Sequence, residues 1–181
     1  MSPPPVLNLA VGDAVVYGSH GIGCVEARRA GAGDLPDMVV LAFESGLRVT
    51  IPVDRAGDSL RSLSGEIELE DVQRTLRTDP ARSSEPWSKR FRSMREKVTV
   101  GNAIGLAEVV RDGLKRERQL SGGRAVAGAS ERGLYLQARK LLAAEIAFAR
   151  GIDAAEADMW IVEQIDEQEG SAGAQTTALL R

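Results

Sequence analysis

The sequence contains one cysteine, Cys24, and one histidine, His20. A single thiol excludes an internal disulfide, and one Cys with one His cannot build a Cys/His zinc cluster. Aromatic residues are 4% of the 181 residues while 43% are hydrophobic, so any core is made mainly of Val, Leu, Ile and Ala. No apolar run approaches the roughly 20 residues of a membrane-spanning helix. The opening MSPPPVLNLA has neither a basic leader nor an apolar signal segment, and a cytoplasmic protein is the expectation. The phosphate loop G-x-x-x-x-G-K-[ST] and the full G-x-G-x-x-G fingerprint are both missing. The glycine-rich stretch YGSHGIG (Tyr17 to Gly23) therefore reads as a tight turn between strands, with Gly18 and Gly21 at positive φ. His20 lies in that turn with no carboxylate or nucleophile near it in sequence, and is read as a turn or surface contact residue. Cys24 falls in a run of Val and Ile and is expected to be a small core residue. The acid pairs Glu66/Glu68 and Glu70/Asp71 belong to a solvated helix face or its approach, and nothing in their surroundings provides the burial that would separate two carboxyl pKa values.

What the chain does have is segregated charge. Its formal net charge of −3 divides into 7 basic and 12 acidic residues over 1–80, 15 and 7 over 81–150, and 1 and 7 over 151–181. A basic block between two acidic ones points to a polyanion contact confined to the middle of the chain, or else to a set of solvated, arginine-rich helix faces.

The first part reads as β structure. Asp13 to Tyr17, Ile22 to Arg28, Met38 to Phe43 and Leu47 to Pro52 are short runs rich in Val and Ile, parted by Gly and Asp clusters, which predicts a small antiparallel barrel. Alternation in the last run places Leu47, Val49 and Ile51 inward and Arg48 and Thr50 outward, so Arg48 is a candidate surface contact. A short helix lined by Ile67, Val72 and Leu76 follows, ending near Thr78.

Asp79 to Pro86 (DPARSSEP) has two prolines, two serines and no apolar periodicity, and is the predicted linker. Helical spacing begins beyond it. Pro86 suits a first turn, Phe91, Met94 and Val98 share a face, Gly101 stops that helix and Asn102 caps the next, with Ile104, Ala107, Val110 and Leu114 inward. A third helix, Glu131 to Arg150 behind Ser130, carries Leu134, Ala138, Leu141 or Leu142, and Ala149 on its apolar side. Gly151 ends it, and Asp153 with Glu156 forms a capping box for a fourth helix through Trp160, Ile161 and Ile165, in which Trp160 is read as core. From Gly170 the tail is small and polar apart from Leu179 and Leu180, and is expected to be disordered.

The densest signal is EPWSKRFRSMREK, Glu85 to Lys97. Between Arg82 and Lys97 six basic residues (Arg82, Lys89, Arg90, Arg92, Arg95, Lys97) face two acidic ones (Glu85, Glu96). Cationic side chains bind phosphates and release counterions, whereas an apolar ring beside them does what proteins that distort DNA do with an apolar wedge. Trp87 lies at the tip of this helix, beside the linker, where it either projects toward a ligand or packs between two domains. The residues alone leave both open.

VGDAVVYGSHGIGCVEA (Val11 to Ala27), LRVTIP (Leu47 to Pro52), PWSKRFRSMREKV (Pro86 to Val98), LAEVVRD (Leu106 to Asp112) and LYLQARKLLAAEIAFARGI (Leu134 to Ile152), in this order and spacing, resemble the CarD/CdnL family of bacterial transcription regulators. The resemblance covers roughly residues 9 to 167. It implies an α+β protein without catalysis, cofactor or metal: an N-terminal Tudor-like small antiparallel β-barrel, the fold of the polymerase-interacting domain of transcription-repair coupling factor, followed by a C-terminal all-α domain. The corresponding division is a disordered N-terminus at 1–8, the barrel at 9–78, the linker at 79–86, the helical domain at 87–169 and a disordered tail at 170–181. By the same resemblance the barrel binds the RNA polymerase β subunit, with Arg48, Thr50, Arg28 and Arg29 as candidate contacts. The helical domain reaches promoter DNA at the upstream edge of the bubble and stabilises the open complex. Trp87 corresponds to the family's minor-groove wedge, with Lys89, Arg90 and Arg92 near the phosphates. The implied protein is a nucleoid-associated monomer with no membrane contact. A DNA-binding protein that acts without polymerase and a protein-only adaptor are the alternatives.

Two departures from the family pattern stand out. Thr50 occupies a place where members often carry a basic residue, with Arg48 one alternation away on the same face. The stretch 122–128 (GGRAVAG) looks like an insertion.

Overall fold

The computed structural model describes residues 9–79, 85–121 and 128–178. The chain divides into two compact units, Met1–Leu63 and Ser64–Arg181. The expected disordered start at 1–8 lies outside the described residues, as do 80–84 of the expected linker and 122–127 of the expected insertion.

In the first unit the runs read as strands are strands. β1 (Ala14–Tyr17), β2 (Ile22–Arg29), β3 (Met38–Phe43) and β4 (Arg48–Pro52) pair antiparallel in sequence order, and β5 (Leu60–Arg61) joins the free side of β1 after the one-turn helix α1 (Ala56–Ser59). The sheet order β4-β3-β2-β1-β5 puts the first and last of these at opposite edges. Val15, Val25, Leu41, Ile51 and Leu60, one from each strand, nevertheless join a single buried cluster, so the sheet curls around one core in the Tudor-like manner. A register shift between Val25 and Ala27 marks a bulge in β2, a feature that increases local twist. Gly18 and Gly21 have φ of 43° and 82°, the backbone that the turn reading required.

Two assignments in this unit change. Cys24 is exposed rather than in the core, because it stands opposite Ala42 and Ala14 on the outer face while its neighbour Val25 takes the inward side. Leu47 is 39% exposed, because it lies between β4 and the tight turn that the Gly46 N–H closes on the Phe43 carbonyl.

The second unit is helical: α2 (Glu66–Arg77), α3 (Trp87–Val100), α4 (Ala103–Ser121), α5 (Ala129–Arg150) and α6 (Ala154–Ala178). Its core joins Leu69, Val72 and Leu76 of α2 to Val98, Val110, Leu142, Ile146, Ile161 and Ile165 of the later helices. The compact units divide after Leu63, ahead of the linker expected at 79–86. α2 falls in the helical unit, its apolar stripe packed on α4 and α6. Two buried hydrogen bonds seal its start: the Ser64 backbone N–H and hydroxyl both donate to Glu145 of α5, at 2.9 and 2.7 Å. The side chain of Ile67 lies outside the described residues.

Helix ends follow local chemistry. Gly101 and Gly151 sit at φ 69° and 64° as left-handed caps, and the Asn102 side-chain oxygen accepts from the Gly105 N–H at 2.6 Å. Asp153 and Glu156 exchange backbone-to-side-chain bonds at 2.8 and 3.3 Å, the expected reciprocal box. α5 starts two residues earlier than expected, behind an extended Gly128, and Ser130 lies inside its first turn. Ile104 and Ala149 are exposed, whereas Tyr135 is buried against Gly113, where an added Cβ would lie 2.5 Å from the tyrosine ring. α6 continues to Ala178, past the point where a disordered tail was expected. Alanines 172, 174 and 178 are the strongest helix formers in that stretch, and 179–181 lie outside the described residues. Among the described residues no helix is long and apolar enough to cross a membrane.

Candidate functional site

Two surfaces collect the candidate residues. On the outer face of the sheet, cross-strand register sets Arg48 opposite Ala42 and Cys24, Thr50 opposite Val40 and Ala27, and Arg29 opposite Met38 and Pro52. Directly paired residues share a face, so Arg48, Thr50 and Arg29 lie together. Arg28 does not join them. The bulge shifts it opposite Val39, whose side chain points to the core, and Arg28 emerges at the end of that inner face instead. His20 is also elsewhere, stacked on Tyr17 with centroids 5.1 Å apart.

Arg48 is exposed, as its alternation predicts, but it is not solitary. Its Nε and Nη2 donate to the two oxygens of Glu26 at 2.7 and 2.9 Å, a bidentate pair across the outer face. Hydrogen bonding from Arg48 holds the Glu26 carboxyl below its ordinary pKa, and the same bond raises that of Arg48. Glu26 sits at the bulge, and sequence spacing carried no sign that it would meet a residue 22 positions later.

The second surface is α3. Pro86, extended at φ −55° and ψ 147°, delivers Trp87 as the first helical residue. The indole is 51% exposed. One of its faces stacks on Phe91 with centroids 5.1 Å apart and planes inclined by 16°, the i,i+4 relation of a helix surface. Its Nε1–H donates to Glu131 Oε2 at 3.2 Å. Glu131, in the first turn of α5, is buried, and its other oxygen lies 3.5 Å from Arg116 Nε of α4. The ring contacts thus lie within the helical unit, and half of the indole remains open.

The basic residues divide into tethered and open groups. Lys89 Nζ pairs with Glu85 at 2.7 Å, which raises its pKa, and Arg90 donates to the Glu85 backbone carbonyl. Lys97 pairs with Glu108 at 2.8 Å. Arg92 and Arg95 pair with no other described residue, and with Glu96, Thr99 and Val100 they line an open groove along the helix. Arg95 was counted in the basic run but not singled out as a contact, although its i,i+3 relation to Arg92 was readable. Trp160 is half-buried against the core and lies 4.0 Å under the Arg150 guanidinium, a cation–π contact rather than a projecting ring.

Two family descriptions match the chain. The CarD-like/TRCF RID domain covers residues 9–64, and the CarD C-terminal domain covers residues 71–162. The first match ends one residue past the division between the two compact units. A protein of Bacillus subtilis (strain 168) named "Putative transcription factor YdeB" is 26% identical over 148 residues, which is 78% of this chain and 92% of that protein.

Proposed function

The chain belongs to the CarD family of transcription regulators, which are not enzymes, and we propose that it binds the RNA polymerase β subunit through its N-terminal unit and stabilises the promoter open complex through its helical unit. The observation that carries this reading is Trp87, half-exposed at the tip of a basic helix with its inner face and N–H already engaged. An apolar ring beside phosphate-binding cations favours distorted DNA over regular duplex, since the ring gains contact only where bases part. In this reading Lys89, Arg90 and Arg92 hold the backbone on either side of an indole wedged into the minor groove at the upstream edge of the bubble. Arg48, Thr50 and Arg29 supply the polymerase-facing surface, and the protein acts as a monomer.

The test is the lifetime of a heparin-challenged open complex with and without the protein, beside capture of core polymerase by the tagged chain. A longer lifetime with capture supports the reading. DNA retention without polymerase capture makes the protein a polymerase-independent binder, and capture of protein without any effect on the bubble makes it an adaptor.

The outer-face geometry yields a prediction of its own. Arg48→Glu is expected to leave the barrel folded, since the pair it breaks is exposed, and to weaken polymerase binding by roughly tenfold or more through lost pairing and reversed steering. Arg48→Ala avoids placing a second carboxylate beside Glu26 and is expected to have a smaller effect in the same direction. Unchanged affinity in both, by titration against core polymerase, removes Arg48 from the interface.

A further inference from the structure

We propose that Glu131 is the positioning residue of the Trp87 wedge: its buried carboxylate, by accepting the indole N–H, holds the ring in the one orientation that presents its free edge outward. This inference rests on the wedge reading given above and adds to it the device that aims the ring.

An exposed tryptophan at a helix tip is otherwise free to change rotamer. Its χ1 torsion has three staggered wells, and stacking on Phe91 restrains the ring through one face only. The indole has a single polar atom, a donor, so an acceptor at the right place fixes the remaining freedom. Glu131 Oε2 stands 3.2 Å from it, on a different helix and 44 residues away, and Glu131 is 8% exposed. The other carboxylate oxygen faces Arg116 at 3.5 Å, so the charge is balanced while Oε2 serves the indole. Three helices therefore meet at one carboxylate: α3 through Trp87, α4 through Arg116 and α5 through Glu131 itself. The bond occupies the inward N–H edge. About half of the residue stays exposed beside that bond, so that a wedge can seat without breaking it.

The quantitative consequence follows from population arithmetic. If collapse of the bubble proceeds only from complexes with the ring unseated, the lifetime extension scales with the equilibrium constant for seating. That constant is reduced by the fraction of molecules whose ring is correctly aimed. Releasing the ring from one well to about three lowers the extension by about threefold.

The test uses the full chain and six variants, each with its melting temperature and polymerase binding recorded. Glu131→Ala is expected to shorten the extension about threefold, and Glu131→Gln, which keeps an oxygen for the N–H but loses the charge, to restore it. Trp87→Phe keeps a stacked ring without the N–H, and adding Glu131→Ala to it is expected to cost nothing further. Arg116→Ala, which leaves the indole bond in place, is expected to preserve the lifetime. The proposal is overturned if Glu131→Ala acts equally with Trp and with Phe at position 87, if Gln fails to rescue, or if Arg116→Ala reproduces the loss, since any of these means that the carboxylate acts on the fold and not on the ring. Should Glu131→Ala fold incompletely, the glutamine and Arg116→Ala outcomes still decide. A Trp87→Ala protein that extends the lifetime normally removes the wedge itself. Loss with Trp87→Ala but none with Glu131→Ala removes only the positioning role.

Discussion

Shortened to residues 81–181, the protein is expected not to fold, whereas a chain running from residue 62 to 181 is expected to give a cooperative melting transition. The difference is α2. Leu69, Val72 and Leu76 are 7%, 0% and 0% exposed in the helical core, and each such side chain contributes about 1.5–3 kcal/mol on burial. Together that is roughly 5–9 kcal/mol, comparable with the whole stability of an ordinary domain. Removal also takes hydrogen-bond partners away from polar groups of the later helices. Arg111, itself buried, donates to the Thr75 carbonyl at 3.2 Å, Lys115 pairs with Asp79 at 2.7 Å, and Gln164 accepts from Gln73 at 2.8 Å. Starting at 62 keeps an amide at Ser64 for its bond to Glu145. Circular dichroism melts of the two fragments check this, and equal melting temperatures would show that α2 is dispensable to the core.

Trp87→Ala is expected to keep polymerase binding, keep the phosphate attraction of Lys89, Arg90 and Arg92, and lose most of the open-complex lifetime extension, about tenfold. Unstacking a base step costs on the order of a few kcal/mol, and a ring that offsets one step changes a rate by that factor or more. The structure sharpens the control. A fully buried aromatic replaced by Ala costs about 3–5 kcal/mol, but Trp87 is 51% exposed with one face on Phe91, so about 1–2 kcal/mol is expected for the loss of stability. Such a loss leaves the helical unit folded at assay temperature. A lifetime that falls only in proportion to the unfolded fraction would sink the wedge and make Trp87 a packing residue of the α3 tip.

Much of the fold is readable residue by residue. The β1 to β4 runs were recognisable from Val and Ile content and Gly-rich breaks, and the α3 stop at Gly101, the Asn102 cap and the Asp153/Glu156 box from patterns within four residues. The candidate sites were readable to the same extent. Arg48 and Thr50 face outward because a strand alternates, and Trp87 leads a basic helix because Pro86 precedes it. Arg28 and Arg29 are neighbours in β2 and so face opposite ways, and which of them joins Arg48 is set by the bulge, which depends on the strand that lies alongside.

By itself the sequence determined the local conformations, the caps and the concentration of positive charge after residue 81, since these arise from φ/ψ preference, side-chain bonds to the near backbone and composition. Only the tertiary structure decided that α2 serves the helical core, that Cys24 turns outward while Val25 turns in, that Arg48 is met by Glu26, and that Glu131 meets the indole N–H of Trp87. Each of these depends on residues far apart in the chain reaching one place. Which distant faces meet is selected by the free energy of burying them together, a quantity no short window of sequence contains.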